Sequence, residues 1–293
     1  MNKKNLTFTV VANMTANYGE ALGNISSVQK VHINGKTYSA RSMESLKYAL
    51  MNKAGFYDEL QAEAPASVAI KLVNDDVTIE NCRALEGGYM SAKKSGTVKR
   101  DSSFRVTSAV AITPFSGDIQ FHNNLGLATK VADSMGISVQ EKAGECGLMP
   151  FSYEFDKCTR IYSITIFLDE IGEDDNFKIS LSNEEKANRV IALIKAIRDL
   201  EMEVKGSLDN AEPLFVVGGL SDRRSHVFEN IIKVDGDKIL LSDELKDKCE
   251  NGYHAGVMSG AFANTDDIKN TLGATTVDKF FDIIIDEVKK NYE

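Results

Sequence analysis

Alternating hydrophobic and polar residues mark the first strand expected in this chain. Leu6 to Val11 reads Leu-Thr-Phe-Thr-Val-Val. A period of two predicts a β-strand, because successive side chains of a strand point to opposite faces. The polar, glycine-containing stretch from Thr15 to Ser27 predicts a loop. Asn34-Gly35 then lies between two short alternating runs and predicts a β-hairpin.

Two helices and three further strands follow from the same kind of pattern. Ser39 or Ser42 can cap a helix that runs through residues 45–51 and ends near Gly55. Residues 183–200 predict a second helix, whose single apolar stripe consists of Val190, Leu193, Ile194, Ile197 and Leu200. Runs rich in β-branched and aromatic residues predict strands at 104–112, 160–168 and 214–217.

The order of these elements predicts the fold class. Strand, helix, strand, long excursion, strand, helix, strand is the βαββαβ order of a ferredoxin-like unit, which is also the order of RNA-recognition folds. We therefore expect an α+β protein with one four-stranded sheet and helices on one face. The other face would be open, and in RNA-recognition sheets that face holds a single strand.

The overall charge narrows the possible classes of function. The 293 residues carry 34 Lys and Arg against 43 Asp and Glu, a net charge of −9. This balance argues against a generic nucleic-acid binder, which is usually basic overall. It leaves open a protein that binds nucleic acid on one face only.

Two further features of the composition indicate the compartment. No apolar run reaches the about 20 residues that a membrane helix needs, so we expect no membrane contact. The four cysteines are too few and too scattered for a disulfide framework. Together these features predict a cytoplasmic protein.

One basic segment stands out against the acidic background. Residues 93–105 contain five basic side chains and one acidic one, and they lead directly into the strand expected at 104–112. The basic residues are Lys93, Lys94, Lys99, Arg100 and Arg105. A basic run is usually a solvated loop. Because this one enters a central strand of an acidic chain, we favour contact with phosphate groups.

A second segment combines polar and basic residues at the start of the first helix. It contains Arg41, Ser42, Ser45 and Lys47. Serines at this position can simply cap the helix. Free backbone amides, hydroxyls and a lysine can equally form a phosphate site. The pattern supports both interpretations.

A third segment places two glycines, Gly218 and Gly219, shortly before Arg223 and Arg224. This pattern is typical of a turn with solvated charges, or of a backbone that approaches a ligand closely beside forked arginine donors. We expect the three segments to converge on one strand of nucleic acid.

Other chemistry has little support in the sequence. Neither a Walker motif nor G-x-G-x-x-G occurs, so we expect no nucleotide cofactor. The four histidines and four cysteines are too dispersed for a metal site, and no G-x-S-x-G elbow supports a hydrolase.

The three segments occur in the order found in the CRISPR repeat-associated RNA-binding superfamily. The chain most resembles the DevR-like family, the backbone subunits of type I-B Cascade. Residues 32–36 and 39–47 look like the opening of that family, and residues 99–110 are similar to its second core strand. Residues 217–224 resemble the glycine-rich loop of the wider superfamily.

The resemblance implies a hand-like shape within a single domain over residues 1–293. A ferredoxin-like palm would comprise residues 1–55, 99–115 and 153–293. A finger-like insertion would lie at 56–98 and a β-hairpin thumb at 116–152. His122, Asn123 and Asn124 would then be thumb residues that contact RNA.

The resemblance also implies a function and partners. Copies of such a subunit stack along CRISPR guide RNA into a helical oligomer within an antiviral surveillance complex. Other Cascade subunits bind there, and the exposed guide bases pair with target DNA.

The resemblance leaves two functions open. Related subunits that cut RNA use an Asp between the first strand and first helix, whereas Thr15 to Tyr38 contains Glu20 and no Asp. We therefore expect a non-catalytic subunit. The alternative is an endoribonuclease that processes CRISPR precursor RNA, with His32 as general base.

Overall fold

The computed structural model describes residues 3–22, 25–60, 62–63, 71–72, 77–93 and 96–293. Its strands in chain order are β1 (Asn5–Thr15), β2 (Tyr18–Leu22), β3 (Ile25–Val28), β4 (Lys30–Ile33), β5 (Lys36–Arg41), β6 (Ala62–Glu63), β7 (Lys71–Leu72), β8 (Tyr89–Lys93), β9 (Gly96–Arg100), β10 (Phe104–Val106), β11 (Ala109–Ala111), β12 (Ile119–His122), β13 (Phe151–Glu154), β14 (Lys157–Phe167), β15 (Glu173–Asp174), β16 (Ile179–Ser180), β17 (Glu201–Val204), β18 (Ser207–Asn210), β19 (Pro213–Ser221), β20 (Val234–Asp235), β21 (Lys238–Ile239) and β22 (His254–Val257). Its α-helices are α1 (Met43–Lys53), α2 (Leu125–Met135), α3 (Asn183–Arg198), α4 (Asp243–Glu250), α5 (Thr265–Leu272) and α6 (Val277–Tyr292), and a 3₁₀ helix spans Arg83–Gly87. The expected α+β class is confirmed.

One antiparallel sheet of eight strands organises the chain. Its strand order is β22-β19-β1-β14-β11-β5-β4, and β10 also pairs with β14. Strand β1 lies between β14 and β19, so that Asn5 faces Phe167 on one side and Ser221 on the other. The chain order β1, α1, β11, β14, α3, β19 gives the spatial order β19-β1-β14-β11 to the inner four strands. Strand β22 extends one edge of these four, and β5 and β4 extend the other.

The main hydrophobic core lies on the face of the sheet that α1, α3 and α6 cover. Leu6, Phe8 and Val10 of β1 point into it and are fully buried. The Phe8 ring meets Phe280 and Phe281 of α6, with ring centroids 6.0 and 6.1 Å away. The stripe predicted on α3 is buried in the same core at Val190, Leu193, Ile194, Ile197 and Leu200. Both periodic patterns therefore identified the core correctly.

The opposite face of the sheet is covered over β1 and β14. Thr7, Thr9, Ser163 and Thr165 lie on it and are at most 1% exposed. Thr9 Oγ1 lies 2.6 Å from Ser163 Oγ, and Thr165 Oγ1 lies 2.9 Å from His226 Nδ1. A second hydrophobic cluster, built partly from α4, α5 and the segment after β19, packs on this face. The expectation of an open face is therefore wrong here, because the chain folds back over it.

Gly218 and Gly219 lie inside β19 and not in a turn. Gly218 pairs with Phe8, and a Cβ atom at Gly218 would lie 2.1 Å from the carbonyl oxygen of Thr7. Glycine lets the two strands approach this closely. The glycine pair therefore serves sheet packing, and the loop begins only after Ser221.

A second sheet joins two distant segments of the chain. Its order is β12-β13-β3-β2, with β13 antiparallel to β12 and parallel to β3. The stretch from Thr15 to Ser27, expected to be a loop, therefore contains two strands. Helix α2 lies between β12 and β13, and it buries Ala128 and Ala132 beside Cys146. Such small buried residues give a weak periodic signal, which is why this helix was not predicted.

A buried carboxylate connects the 3₁₀ helix to the end of β9 and to α3. Glu86 is fully buried. Its Oε2 atom lies 3.0 Å from Arg100 Nη2, and its Oε1 atom lies 3.0 Å from Arg189 Nη1. The Gly172 amide donates to Oε1 at 2.9 Å, and the Ser103 hydroxyl donates to Oε2. A buried charge is tolerated only when it is paired and hydrogen-bonded, as it is here.

Replacing Glu86 with glutamine tests this network. The substitution leaves Arg100 and Arg189 buried without their shared counter-charge, so we expect the free energy of unfolding to fall by about 3–5 kcal/mol. Urea denaturation followed by circular dichroism measures it. The control is Glu145→Gln, which removes an exposed pair with Lys142 and should cost less than about 1 kcal/mol. Equal losses in the two variants would contradict the role of Glu86.

Candidate nucleic-acid interface

Four basic side chains from all three sequence segments lie around the short segment between β9 and β10. We name them the basic cluster: Lys47, Lys99, Arg105 and Arg224. Lys47 Nζ donates to Ser102 Oγ at 2.9 Å, and Arg105 Nη1 donates to the Ser102 carbonyl oxygen at 2.9 Å. Lys99 Nζ lies 2.8 Å from Asp101 Oδ1. The segments that begin α1 and enter β10 are therefore adjacent.

Asp101, the one acidic residue of the basic segment, lies within reach of the cluster's charges. Its pKa is lowered, chiefly by the hydrogen bond and charge of Lys99 and then by the charges of Arg105 and Arg224. Arg224 comes from the loop after β19. Arg224 of the third segment is therefore close enough to act on Asp101 of the basic segment.

The position of the Arg224 side chain is fixed by two neighbours, the aromatic ring of Phe167 and the carboxylate of Glu170. Its guanidinium carbon lies 3.9 Å from the centroid of the Phe167 ring, and it forms an ion pair with Glu170. Its side chain nevertheless stays 52% exposed, and that of Lys99 is 67% exposed. Stacking orients a guanidinium while its remaining N–H donors face solvent. Such a group can bind phosphate.

Lys47 is a half-buried member of the cluster. Its Nζ atom donates to the Gly87 carbonyl oxygen at 2.7 Å and lies 5.0 Å from the centroid of the Phe104 ring. Burial lowers the pKa of Lys47 to about 8, and the like charge of Arg105 adds to the effect. A bound anion would favour the charged form. The charge at this position therefore depends on pH close to neutrality.

Arg100 does not join the cluster. It is 9% exposed, and besides Glu86 it donates to the carbonyl oxygens of Leu85 at 2.7 Å and Glu173 at 2.9 Å. Because these donors are used inside the protein, we assign Arg100 to the fold and leave it out of the interface. Lys93 ends β8, but its side chain and all of Lys94 lie outside the described residues.

The start of α1 shows the geometry of a capped helix. Ser42 Oγ accepts a hydrogen bond from the Ser45 amide at 3.2 Å. Arg41 is 5% exposed and donates to Ser45 Oγ at 2.9 Å and to the Thr15 carbonyl oxygen at 3.1 and 2.9 Å. Burial lowers the pKa of Arg41 to about 10. Of the two interpretations of this segment, the contacts support capping, and only Lys47 joins the cluster.

Arg223 lies in a different place from its neighbour Arg224. It lines an open cavity of about 560 Å³ together with Lys3, Tyr253 and Lys290. Its backbone amide donates to Ser221 Oγ at 3.0 Å. Arg223 therefore lies at this cavity, whereas Arg224 lies at the basic cluster.

The proposed thumb residues occupy the second sheet and the start of α2. The His122 ring stacks on Tyr153 with a centroid distance of 4.5 Å, and on Phe151 at 5.4 Å. Asn123 Oδ1 accepts from the Leu125 amide at 3.0 Å, and Asn124 Nδ2 donates to the Gly147 carbonyl oxygen at 2.9 Å. The two asparagines thus hydrogen-bond to the backbone at the start of α2 and after its end. His122 belongs to an aromatic stack.

The aromatic partners of His122 were not predicted. Phe151 and Tyr153 alternate with Ser152 at the start of β13. This short period-two run could have indicated a strand that presents both rings on one face.

Catalytic chemistry gains no support from the described residues. No three His, Cys, Asp or Glu side chains among them are placed to hold a metal ion. His32 lies on the β4–β5 hairpin with Nδ1 3.3 Å from Thr37 Oγ1. A neutral hydroxyl does not activate a ring as general base, so this contact does not favour the endoribonuclease alternative. None of the helices described could span a membrane.

Comparison with known proteins establishes the family. The family model described as CRISPR-associated negative auto-regulator DevR/Csa2 matches residues 6–240. Because this match spans most of the chain, the protein belongs to the DevR/Csa2 family of CRISPR-associated proteins. The family expected from the sequence motifs is confirmed.

A curated relative supports the same family. The CRISPR-associated protein Cas7/Cst2/DevR of Myxococcus xanthus (strain DK1622) is 30% identical over 145 residues. That similarity covers 41% of this chain, and the chain spans only 45% of the relative's length.

Solved structures share the fold over nearly the whole chain. A chain from a CRISPR RNA-guided surveillance complex, pre-nicking, has a TM-score of 0.62 at 11% identity and covers 97% of this chain and 100% of that chain. A chain from a second CRISPR RNA-guided surveillance complex has a TM-score of 0.56 at 15% identity and covers 98% of each. At these identities the likeness is one of fold.

Proposed function

We propose that this protein is a non-catalytic backbone subunit that holds CRISPR guide RNA on its basic cluster. The observation that carries the proposal is that Lys47, Lys99, Arg105 and Arg224, from three separate segments of an acidic chain, lie around Asp101 and Ser102, with Lys99 and Arg224 more than half exposed. Phosphate contacts of this kind bind a strand without reading its sequence. Base pairing with target DNA would then read the sequence.

The family and the fold support this proposal. The chain belongs to the DevR/Csa2 family, and it resembles chains of CRISPR RNA-guided surveillance complexes in fold. We assign residues 1–55, 99–115 and 153–293 to a ferredoxin-like palm, because β19-β1-β14-β11 with α1 and α3 has the strand order of that unit. We assign 56–98 to the finger-like insertion and 116–152 to the thumb.

Assembly with further copies and with other Cascade subunits belongs to the same proposal. The thumb region displays several large apolar side chains that are more than half exposed: Ile119, Phe121, Leu127, Met135 and Met149. Exposed apolar patches on a soluble surface are typical of protein contacts. They suit a subunit that packs against neighbours along the RNA.

Charge reversal at the cluster tests RNA binding. We expect Lys99→Glu with Arg105→Glu to weaken binding of unrelated single-stranded RNAs about tenfold or more at low salt, because phosphate contacts are lost. The slope of log K against log salt should flatten by about 0.7 for each lost contact. Fluorescence anisotropy across a salt series measures both quantities.

The matched control for this charge reversal is Lys142→Glu with Lys246→Glu. It changes the net charge equally at two exposed lysines of other ion pairs. We expect it to leave the salt slope unchanged. The assignment of the cluster fails if the cluster variant keeps wild-type affinity and slope, or if the control loses as much.

The lowered pKa of Lys47 predicts a pH dependence. Because this pKa is about 8, the ammonium loses its charge as the pH rises from 7 to 9, and RNA affinity should fall over that range. Lys47→Arg keeps its charge at pH 9, so its affinity should fall less. Dissociation constants at both pH values and constant ionic strength measure this. An identical pH dependence in the two proteins would show that Lys47 does not contact the RNA.

A further inference from the structure

The open cavity beside Arg223 is built from four separate parts of the chain. It has a volume of about 560 Å³ and lies between the segment before β1, the loop after β19, the α4–β22 turn and the last turn of α6. Lys3, Tyr253 and Lys290 line it, and they lie outside residues 6–240, which the family model matches. Three of the four walls are therefore outside the matched region.

Hydrogen bonds hold these parts together before any ligand binds. The Lys3 amide donates to Asn291 Oδ1 at 2.8 Å, and Asn291 Nδ2 donates back to the Lys3 carbonyl oxygen at 3.0 Å. The Arg223 amide and the Tyr253 hydroxyl both donate to Ser221 Oγ, each at 3.0 Å. The N-terminal segment is thus fixed to α6, and the loop that carries Arg223 is fixed to the end of β19. Ordered walls of this kind lower the entropic cost of binding a ligand.

Both carboxylates of the cavity already have a partner. Asp222 forms an ion pair with Lys3. Glu287 Oε1 lies 2.8 Å from His254 Nε2, and this hydrogen bond raises the pKa of His254. Each acidic side chain is therefore directed at a basic group that it already contacts.

Arg223 and Lys290 are the charged groups of the cavity that lack such a partner. Both residues are exposed, and neither forms an ion pair within the part of the chain that the structure describes. Two cations without a counter-charge on one concave surface attract an anion. The forked N–H donors of an arginine match a phosphate group, and a lysine adds a point charge. The cavity therefore suits phosphate.

The position of Arg223 connects this cavity with the basic cluster. Arg223 and Arg224 are consecutive residues, and consecutive Cα atoms are about 3.8 Å apart. Arg224 lies on the Phe167 ring at the cluster, whereas Arg223 lies at the cavity. The two surfaces are therefore neighbours across a single loop, and one continuous strand can contact both.

We propose that the cavity is a second phosphate-binding site, where Arg223 and Lys290 bind phosphate groups of the RNA strand as it continues from Arg224. The proposal rests on the proposed function, because the same strand occupies the basic cluster. It extends the contact along the RNA backbone without reading the sequence. It also gives α6 a direct part in binding, in addition to its place in the core.

Neutralising the two cations tests the site. We expect Arg223→Gln with Lys290→Gln to flatten the slope of log K against log salt by about 1.4, which is about 0.7 for each of two lost contacts. Fluorescence anisotropy with unrelated single-stranded RNAs across a salt series measures the slope. Because both residues are exposed, the circular dichroism spectrum of the variant should match that of the wild type.

Arg198→Gln with Lys289→Gln is the matched control. It also removes one arginine and one lysine, which form ion pairs with Asp199 and Asp286. Lys289 directly precedes Lys290 on α6, but neither control residue lines the cavity. The control should therefore keep the wild-type slope. A wild-type slope in the cavity variant, or an equal flattening in the control, would overturn the proposal.

The length of the RNA distinguishes a second site from a general effect of charge. We expect the cavity variant to bind the shortest RNAs like the wild type, because these occupy the basic cluster alone. Strands of about 16 nucleotides, the upper end of single-strand footprints, should bind the variant more weakly than the wild type. A loss of affinity that is equal at every length would contradict a second site.

The outcome is separable from that of the proposed function. RNA binding that depends on the basic cluster but not on Arg223 and Lys290 would overturn the cavity and leave the proposed function standing. RNA binding that depends on Arg223 and Lys290 but not on the cluster would keep the phosphate site and overturn the proposed function.

Discussion

The geometry of the basic cluster depends on the ion pairs that the buried carboxylate of Glu86 forms with Arg100 and Arg189. This carboxylate holds Arg100 and Arg189 within the protein, and so fixes the end of β9 against α3. Successive residues of a strand face opposite sides. With Arg100 directed inward, Lys99 is directed outward, where it pairs with Asp101 at the surface. The ion pair between Glu86 and Arg100 thus determines that Lys99, and not Arg100, can reach a ligand.

The overall acidity of the chain is compatible with the proposed contact to RNA. Four basic side chains from three segments form a local patch on a chain with a net charge of −9, and a local patch is sufficient to attract a phosphate backbone. Residues 241–293 lie beyond the matched family region, yet they supply β22 and α6. Phe280 and Phe281 of α6 pack on Phe8 of the central strand. The C-terminal segment is therefore part of the scaffold that positions the cluster.

Local patterns were sufficient for some of this structure and insufficient for the rest. The period of β1 and the stripe of α3 predicted buried elements, because burial there follows from the element itself. The position of Arg100 could not be predicted, since it depends on Glu86 and on Arg189 from a distant helix. The cavity at Arg223 likewise combines residues far apart in the chain. The order of motifs, in contrast, was enough to identify the family.

Photo-crosslinking of bound RNA, followed by mass spectrometry of the protein peptides, tests the central claim most directly. The three segments would form a single strand-binding surface. We therefore predict crosslinks in peptides that contain Lys47, residues 99–105 and Arg224, all three lost together at high salt. Crosslinks restricted to other parts of the chain, or to only one of these segments, would contradict a shared surface.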